Sequence, residues 1–156
     1  MTRRRVAAAV LAGVLTVGLT ACASTTDVDP EAVSEPGLEG PETLWEGYPD
    51  GVDAHGGISA GAGLADESGA LWVVTYGSSA NPELPVRVEA SGQDVTVRLT
   101  EAQGTSTLDL QPTTSVVRLP GTVDLTAPIT VTLGTYGAVE LTPDSVGTVV
   151  WTAPAD

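Results

Sequence analysis

The chain has 156 residues, with 20 acidic against 6 basic side chains, a net charge of −14, and one cysteine. Such an excess of acid argues against nucleic acid as a partner, because that binding depends on neutralising phosphates. One cysteine rules out an internal disulfide, and the absence of lysine removes Schiff-base chemistry.

In chain order, the first element is a charged start, Arg3-Arg4-Arg5, followed by an uncharged run from Val6 to Ala21 dominated by Val, Ala and Leu. This is the order of a signal peptide. The run is shorter than the ~20 apolar residues a spanning helix needs, and it ends in small residues that suit a peptidase. Residues 1–21 are therefore expected to be removed on export.

The run closes on Leu19-Thr20-Ala21-Cys22. This resembles the lipobox of bacterial lipoproteins, an aliphatic residue and two small ones before a cysteine. The resemblance implies cleavage before Cys22 and lipid, palmitate included, on that residue. Two acyl chains, at about 0.8 kcal/mol per buried CH₂, anchor a protein stably. The expected location is the extracytoplasmic face of the cell membrane, with the membrane as partner through lipid on Cys22. Loss of Arg3, Arg4 and Arg5 leaves Arg87, Arg98 and Arg118 against 20 acids, a charge of −17. Attraction to anionic head groups is disfavoured by the same balance.

Residues 22–54 are rich in Asp, Glu, Pro, Ser and Thr, without a hydrophobic period. They read as a disordered acidic tether. Asp27, Asp29, Glu31, Glu35, Glu39, Glu42, Glu46 and Asp50 repel one another and extend the chain as a spacer. At the far end, Leu44-Trp45 with Tyr48 forms a short apolar patch expected to dock back on the domain, the alternative being a contact motif.

From His55 to Asp156 short stretches of Val, Thr and Leu alternate with Gly, Pro, Asn and Asp at hairpin intervals. Strands are expected at 71–76, 85–90, 94–101, 107–110, 115–119, 129–133, 138–141 and 148–152, and no window has a helical period. Val95, Val97 and Leu99 alternate with Thr96, Arg98 and Thr100, which gives one dry and one wet face. A tight turn at Ser91-Gly92-Gln93 places Arg87 or Glu89 across from Arg98 or Thr96. Leu71-Trp72-Val73-Val74 is apolar on both faces and reads as a central strand, and Val149-Val150-Trp151 as the last. About one hundred residues of this kind predict an all-β fold, an antiparallel two-sheet sandwich of immunoglobulin-like form. Trp72 and Trp151 are the expected core anchors; exposed, either would be a sugar-stacking platform.

Chemistry-bearing residues are few. Gly57-Ile58-Ser59-Ala60-Gly61 matches the G-x-S-x-G nucleophile elbow, but neither a strand pattern before it nor a helix pattern after it supplies that motif's scaffold. The only histidine, His55, precedes Ser59, the reverse of that fold's order, and Asp53 completes a triad only if one Gly-rich loop can hold it. Asp66-Glu67 supplies two carboxylates in a loop, where turn and solvation roles prevail over glycosidase chemistry. Asp50, Asp53 and His55 offer a loose divalent-ion series, with too few oxygens for calcium and no further Cys or His for zinc. Gly61-Ala62-Gly63 lacks the strand and helix of a nucleotide loop, so no cofactor is indicated.

Gly77-Ser78-Ser79-Ala80-Asn81-Pro82, Leu108-Asp109-Leu110-Gln111-Pro112 and Val116-Val117-Arg118-Leu119-Pro120 are similar to stretches of small exported actinobacterial proteins of unknown function. An actinobacterial, GC-rich source also fits the absence of Lys and Phe and the scarcity of Ile and Asn. In those proteins cysteines lie near the first two stretches, where this chain has Ala80-Asn81 and Ser106-Thr107, so the resemblance implies a bridge dispensed with here. The expected function is a non-enzymatic binding or structural module at the cell envelope, contacting an envelope protein or polymer. The alternatives are a small envelope hydrolase using the His55/Ser59 loop and a lipoprotein that captures a small ligand.

Overall fold

A computed structural model describes residues 39–56, 59–101, 107 and 109–153. The signal segment, the lipobox with Cys22, and tether residues 22–38 lie outside the described residues, as do Gly57, Ile58, Ser106 and Leu108. Among the described residues nine strands form: β1 (Thr43–Glu46), β2 (Gly61–Leu64), β3 (Ala70–Ser78), β4 (Pro85–Ser91), β5 (Asp94–Leu99), β6 (Leu110–Arg118), β7 (Ile129–Leu133), β8 (Gly137–Leu141) and β9 (Val150–Trp151). One 3₁₀ turn, Pro143–Ser145, precedes β9.

The strands make two layers, a five-stranded sheet in the order β1-β6-β3-β2-β9 and a four-stranded sheet in the order β4-β5-β7-β8. Pairing is antiparallel except between β5 and β7. The expected all-β sandwich is therefore the fold. Period-two alternation decides what it buries. Leu71, Val73, Ala62, Leu64 and Val117 point inward from the first sheet to meet Val88, Val95, Val97, Ile129, Val131, Leu133, Val139 and Leu141 of the second. The core is thus branched aliphatic, as a chain without Phe requires.

The expected anchors Trp72 and Trp151 are not in that core. Both are half-buried, because Leu71 and Val73 take the inward positions of β3 while Val150 packs inward beside Trp151. Alternation sends both indoles to the outer face of the five-stranded sheet.

The expected acidic tether of residues 22–54 ends sooner than 54. Thr43–Glu46 is a strand, paired with β6 from Thr43↔Val116 to Glu46↔Thr113, so the domain begins ahead of His55. Glu42 leaves the set of repelling acids by forming a two-pronged ion pair with Arg118, at 2.9 and 3.1 Å. The backbone at Leu44-Trp45 docks as expected, yet both side chains stay exposed. The separate strands expected at 107–110 and 115–119 correspond to one nine-residue strand, β6, which runs through Pro112. Proline lacks only the N–H. Pro112 accepts at its carbonyl from the Gly47 N–H at 2.8 Å, so the strand continues.

Candidate functional site

Residues 47–56 leave β1 and form a strap over the outer face of the five-stranded sheet. The Thr114 hydroxyl donates to the Gly47 carbonyl at 2.6 Å, which pins the start of the strap to β6. The Tyr76 hydroxyl, on β3, donates to the His55 carbonyl at 2.6 Å and is also in hydrogen-bond contact with the Tyr48 hydroxyl. The His55 ring lies flat on Trp151 of β9, with centroids 4.5 Å apart and planes 9° apart. Tyr48 meets the same indole edge-on, with centroids 6.2 Å apart. Beneath them Val74 is fully buried although it points away from the main core. Burial, followed by the Tyr48 hydroxyl, pushes the Tyr76 hydroxyl well above the usual phenol range. The cluster is a packed latch in which both tyrosine hydroxyls meet the His55 carbonyl.

Of this cluster the sequence reading expected only that the patch with Tyr48 docks on the domain, which Tyr48 does. A further signal is Tyr76 on the same alternation as Trp72 and Val74, while His55 and Trp151 come from distant parts of the chain.

The sequence candidates for chemistry are not brought together. Ser59 is 1% exposed and its hydroxyl has no hydrogen-bond partner. Its neighbour Ala60 exchanges backbone and side-chain bonds with Thr152, which fixes Ser59 beside β9. The His55 imidazole is engaged by the indole, and Asp53 and Asp50 are exposed on the strap. Among the described residues no three His, Cys, Asp or Glu side chains converge as metal ligands. The G-x-S-x-G match leads into strand β2, so the helix of a nucleophile elbow is absent from this place. Gly61-Ala62-Gly63 is part of that buried strand. The outer face of β2 is so closely covered that a Cβ on Gly61 would meet Trp151 at 2.7 Å and one on Gly63 would overlap the Thr148 carbonyl.

Asp66 does not face Glu67 as a catalytic pair. Its Oδ1 accepts from the Ser68 hydroxyl at 2.6 Å and the Ser68 N–H at 2.8 Å, closing the β2–β3 turn. Those bonds hold its carboxyl below the usual range. Asp124 does the same with Thr126.

The three described arginines are all paired. Arg87 and Arg98 flank Glu89 at 2.9 and 3.3 Å on the solvent face of the β4–β5 hairpin, the arrangement expected from its turn, and Arg118 holds Glu42. The grooves are shallow; one of about 480 Å³ is lined by Pro82, Val86, Leu99 and Glu101 among others, and a neighbour of about 440 Å³ by Glu83, Arg98 and Tyr136 among others. Burial and the Glu83 carboxylate, which accepts from Tyr136 at 3.0 Å, push the Tyr136 hydroxyl up to about 12. Set against known proteins, the chain matches no family model, no curated protein and no solved structure.

Proposed function

We propose that this chain is an exported lipoprotein, held by lipid on Cys22, whose sandwich is a non-enzymatic binding or structural module at the cell envelope. The observation that carries the reading is the state of Ser59 and His55. The motif serine is buried without a partner, and the one histidine is stacked on Trp151, so Ser59 and His55 are not in hydrogen-bond contact. Activation of a serine needs a base within hydrogen-bond reach, and here the candidate base serves the strap. Among the described residues no helix is long and apolar enough to cross a membrane. The anchor in this reading is the acyl chains implied by Leu19-Thr20-Ala21-Cys22.

Two measurements test it. Metabolic labelling with palmitate is expected to mark the wild type and not Cys22→Ala; label retained by the variant refutes the anchor. Photo-crosslinkers at Leu44 and Arg98 of the lipidated protein in living cells are expected to yield one dominant adduct from one position. Silence at both, or turnover of an ester or glycan that Ser59→Ala abolishes, refutes the binding module.

A further inference from the structure

A two-sheet sandwich has four edge strands, and here they are β1 and β9 of one sheet and β4 and β8 of the other. Edges expose unpaired N–H and C=O groups, and folded proteins normally blunt them. β9 has only two residues. β4 begins with Pro85, carries an irregularity between Pro85 and Arg87, and its Val86 carbonyl accepts from the Gly40 N–H at 3.2 Å. β8 carries Glu140 and no exposed large apolar side chain. β1 differs from all three in exposing two large apolar side chains, where β4 exposes one, Val86. Its four residues are exposed throughout, and they include Leu44 at 52% and Trp45 at 36% exposure.

The ladder fixes which backbone groups are open. The Gly47 N–H donates to the Pro112 carbonyl, so Glu46↔Thr113 is a non-hydrogen-bonded pair. By the alternation of an antiparallel ladder, Leu44 and Glu46 turn their N–H and C=O away from β6. Charge is arranged along the same segment. From Glu39 to His55 the chain carries five acids and neither Lys nor Arg. Arg118 takes Glu42, while Glu39, Glu46, Asp50 and Asp53 have no cationic partner among the described residues. A second copy brings the same acids to the same edge, and like charges oppose that pairing.

We propose that β1 is a docking edge for an extended, basic segment of another protein, which adds as a strand beside it. Main-chain bonds to Leu44 and Glu46 supply the pairing, Leu44 and Trp45 give apolar contacts on the two faces, and the acids select Lys and Arg. This rests on the binding-module reading and names the partner's chemistry.

The test uses the full-length chain in detergent micelles and a seven-residue peptide of alternating lysine and valine, with a glutamate–valine peptide as control. Amide NMR shifts are expected to concentrate at residues 43–46 and along β6 for the basic peptide, with affinity falling as salt rises. Glu46→Pro, which removes an outward N–H, and Glu46→Lys, a surface change that leaves the fold intact, are each expected to weaken binding at least tenfold. No shift with the basic peptide overturns the proposal. So do shifts confined to other surfaces, equal binding by Glu46→Lys, or dilution-dependent shifts at 43–46 without peptide, which indicate a second copy. In cells, capture from Arg98 with silence at Leu44 leaves the binding module standing and removes the edge proposal; silence at both removes both.

Discussion

At the scale of single residues, two buried hydroxyls among the described residues stand apart from the bonded polar groups of this domain. Ser59 and Ser115 are the buried hydroxyls without a partner. An unsatisfied hydroxyl stabilises nothing, so Ser59→Ala and Ser115→Ala are expected to change stability by less than about 1 kcal/mol, in the direction of a gain. A loss above about 2 kcal/mol in urea unfolding contradicts the assignment of these hydroxyls as unpaired. The tyrosines set an alkaline limit. Tyr136 has its hydroxyl raised from 10.0 to about 12, and Tyr76 is raised further in the same direction. The folded chain keeps protons that the unfolded chain gives up from about pH 10, so this contribution is complete below that pH and is lost as pH rises through the folded values. Urea midpoints are expected to fall above about pH 10, and Tyr136→Phe to flatten part of the fall; an unchanged slope in that variant removes Tyr136 from the account.

At the scale of elements, the close cover on β2 makes its glycines structural. Gly63→Ala places a Cβ into the Thr148 carbonyl, a backbone atom that has no rotamer to escape by, and Gly61→Ala presses on Trp151. Gly63→Ala is expected to cost about 3 kcal/mol or prevent folding, and more than Gly61→Ala; thermal melts of the two variants check the order. The end of β3 makes a second prediction. The Ser78 hydroxyl is in hydrogen-bond contact with that of Thr107 and accepts from the Thr107 N–H at 2.8 Å, so two Cβ atoms lie within about 5 Å. Ser78→Cys with Thr107→Cys is expected to oxidise spontaneously and to add about 3 kcal/mol; thiols that stay free under air reject that geometry. Strands with clean alternation, such as β5 and β7, were legible in the sequence, as were the β4–β5 turn and the central place of β3. β1 was hidden because its two apolar residues sit among Pro, Gly and Glu and its partner lies far along the chain. β2 was hidden because its outward positions are glycines, which carry no hydrophobic signal. Most of the strap was illegible for the same reason as β1: the bonds and ring contacts that tie it to Tyr76, Thr114 and Trp151 are long-range.

At the scale of the whole molecule, charge is the dominant imbalance. Among the described residues three ion pairs, all on exposed side chains, stand against a net charge of −14 for the chain. Exposed pairs contribute between about 0 and 1 kcal/mol each, and salt weakens them. Self-repulsion among the remaining acids acts over the whole surface, and salt weakens that too, with the opposite sign for stability. At about 0.15 M ionic strength the screening length is roughly 8 Å, longer than the contact distance of an ion pair, and exposed charges farther apart than that are largely screened from one another. Repulsion is therefore screened more completely than contact attraction. Adding sodium chloride from low ionic strength to about 0.15 M is expected to raise the urea midpoint at neutral pH. The gain should shrink near pH 4, where carboxylates begin to take up protons and the repulsion is already partly removed. A midpoint that falls with salt at neutral pH assigns the larger share to the pairs. Arg118→Gln, which frees Glu42 from β6, then decides whether the bond between the strap's leading strand and the sheet is the one that salt breaks.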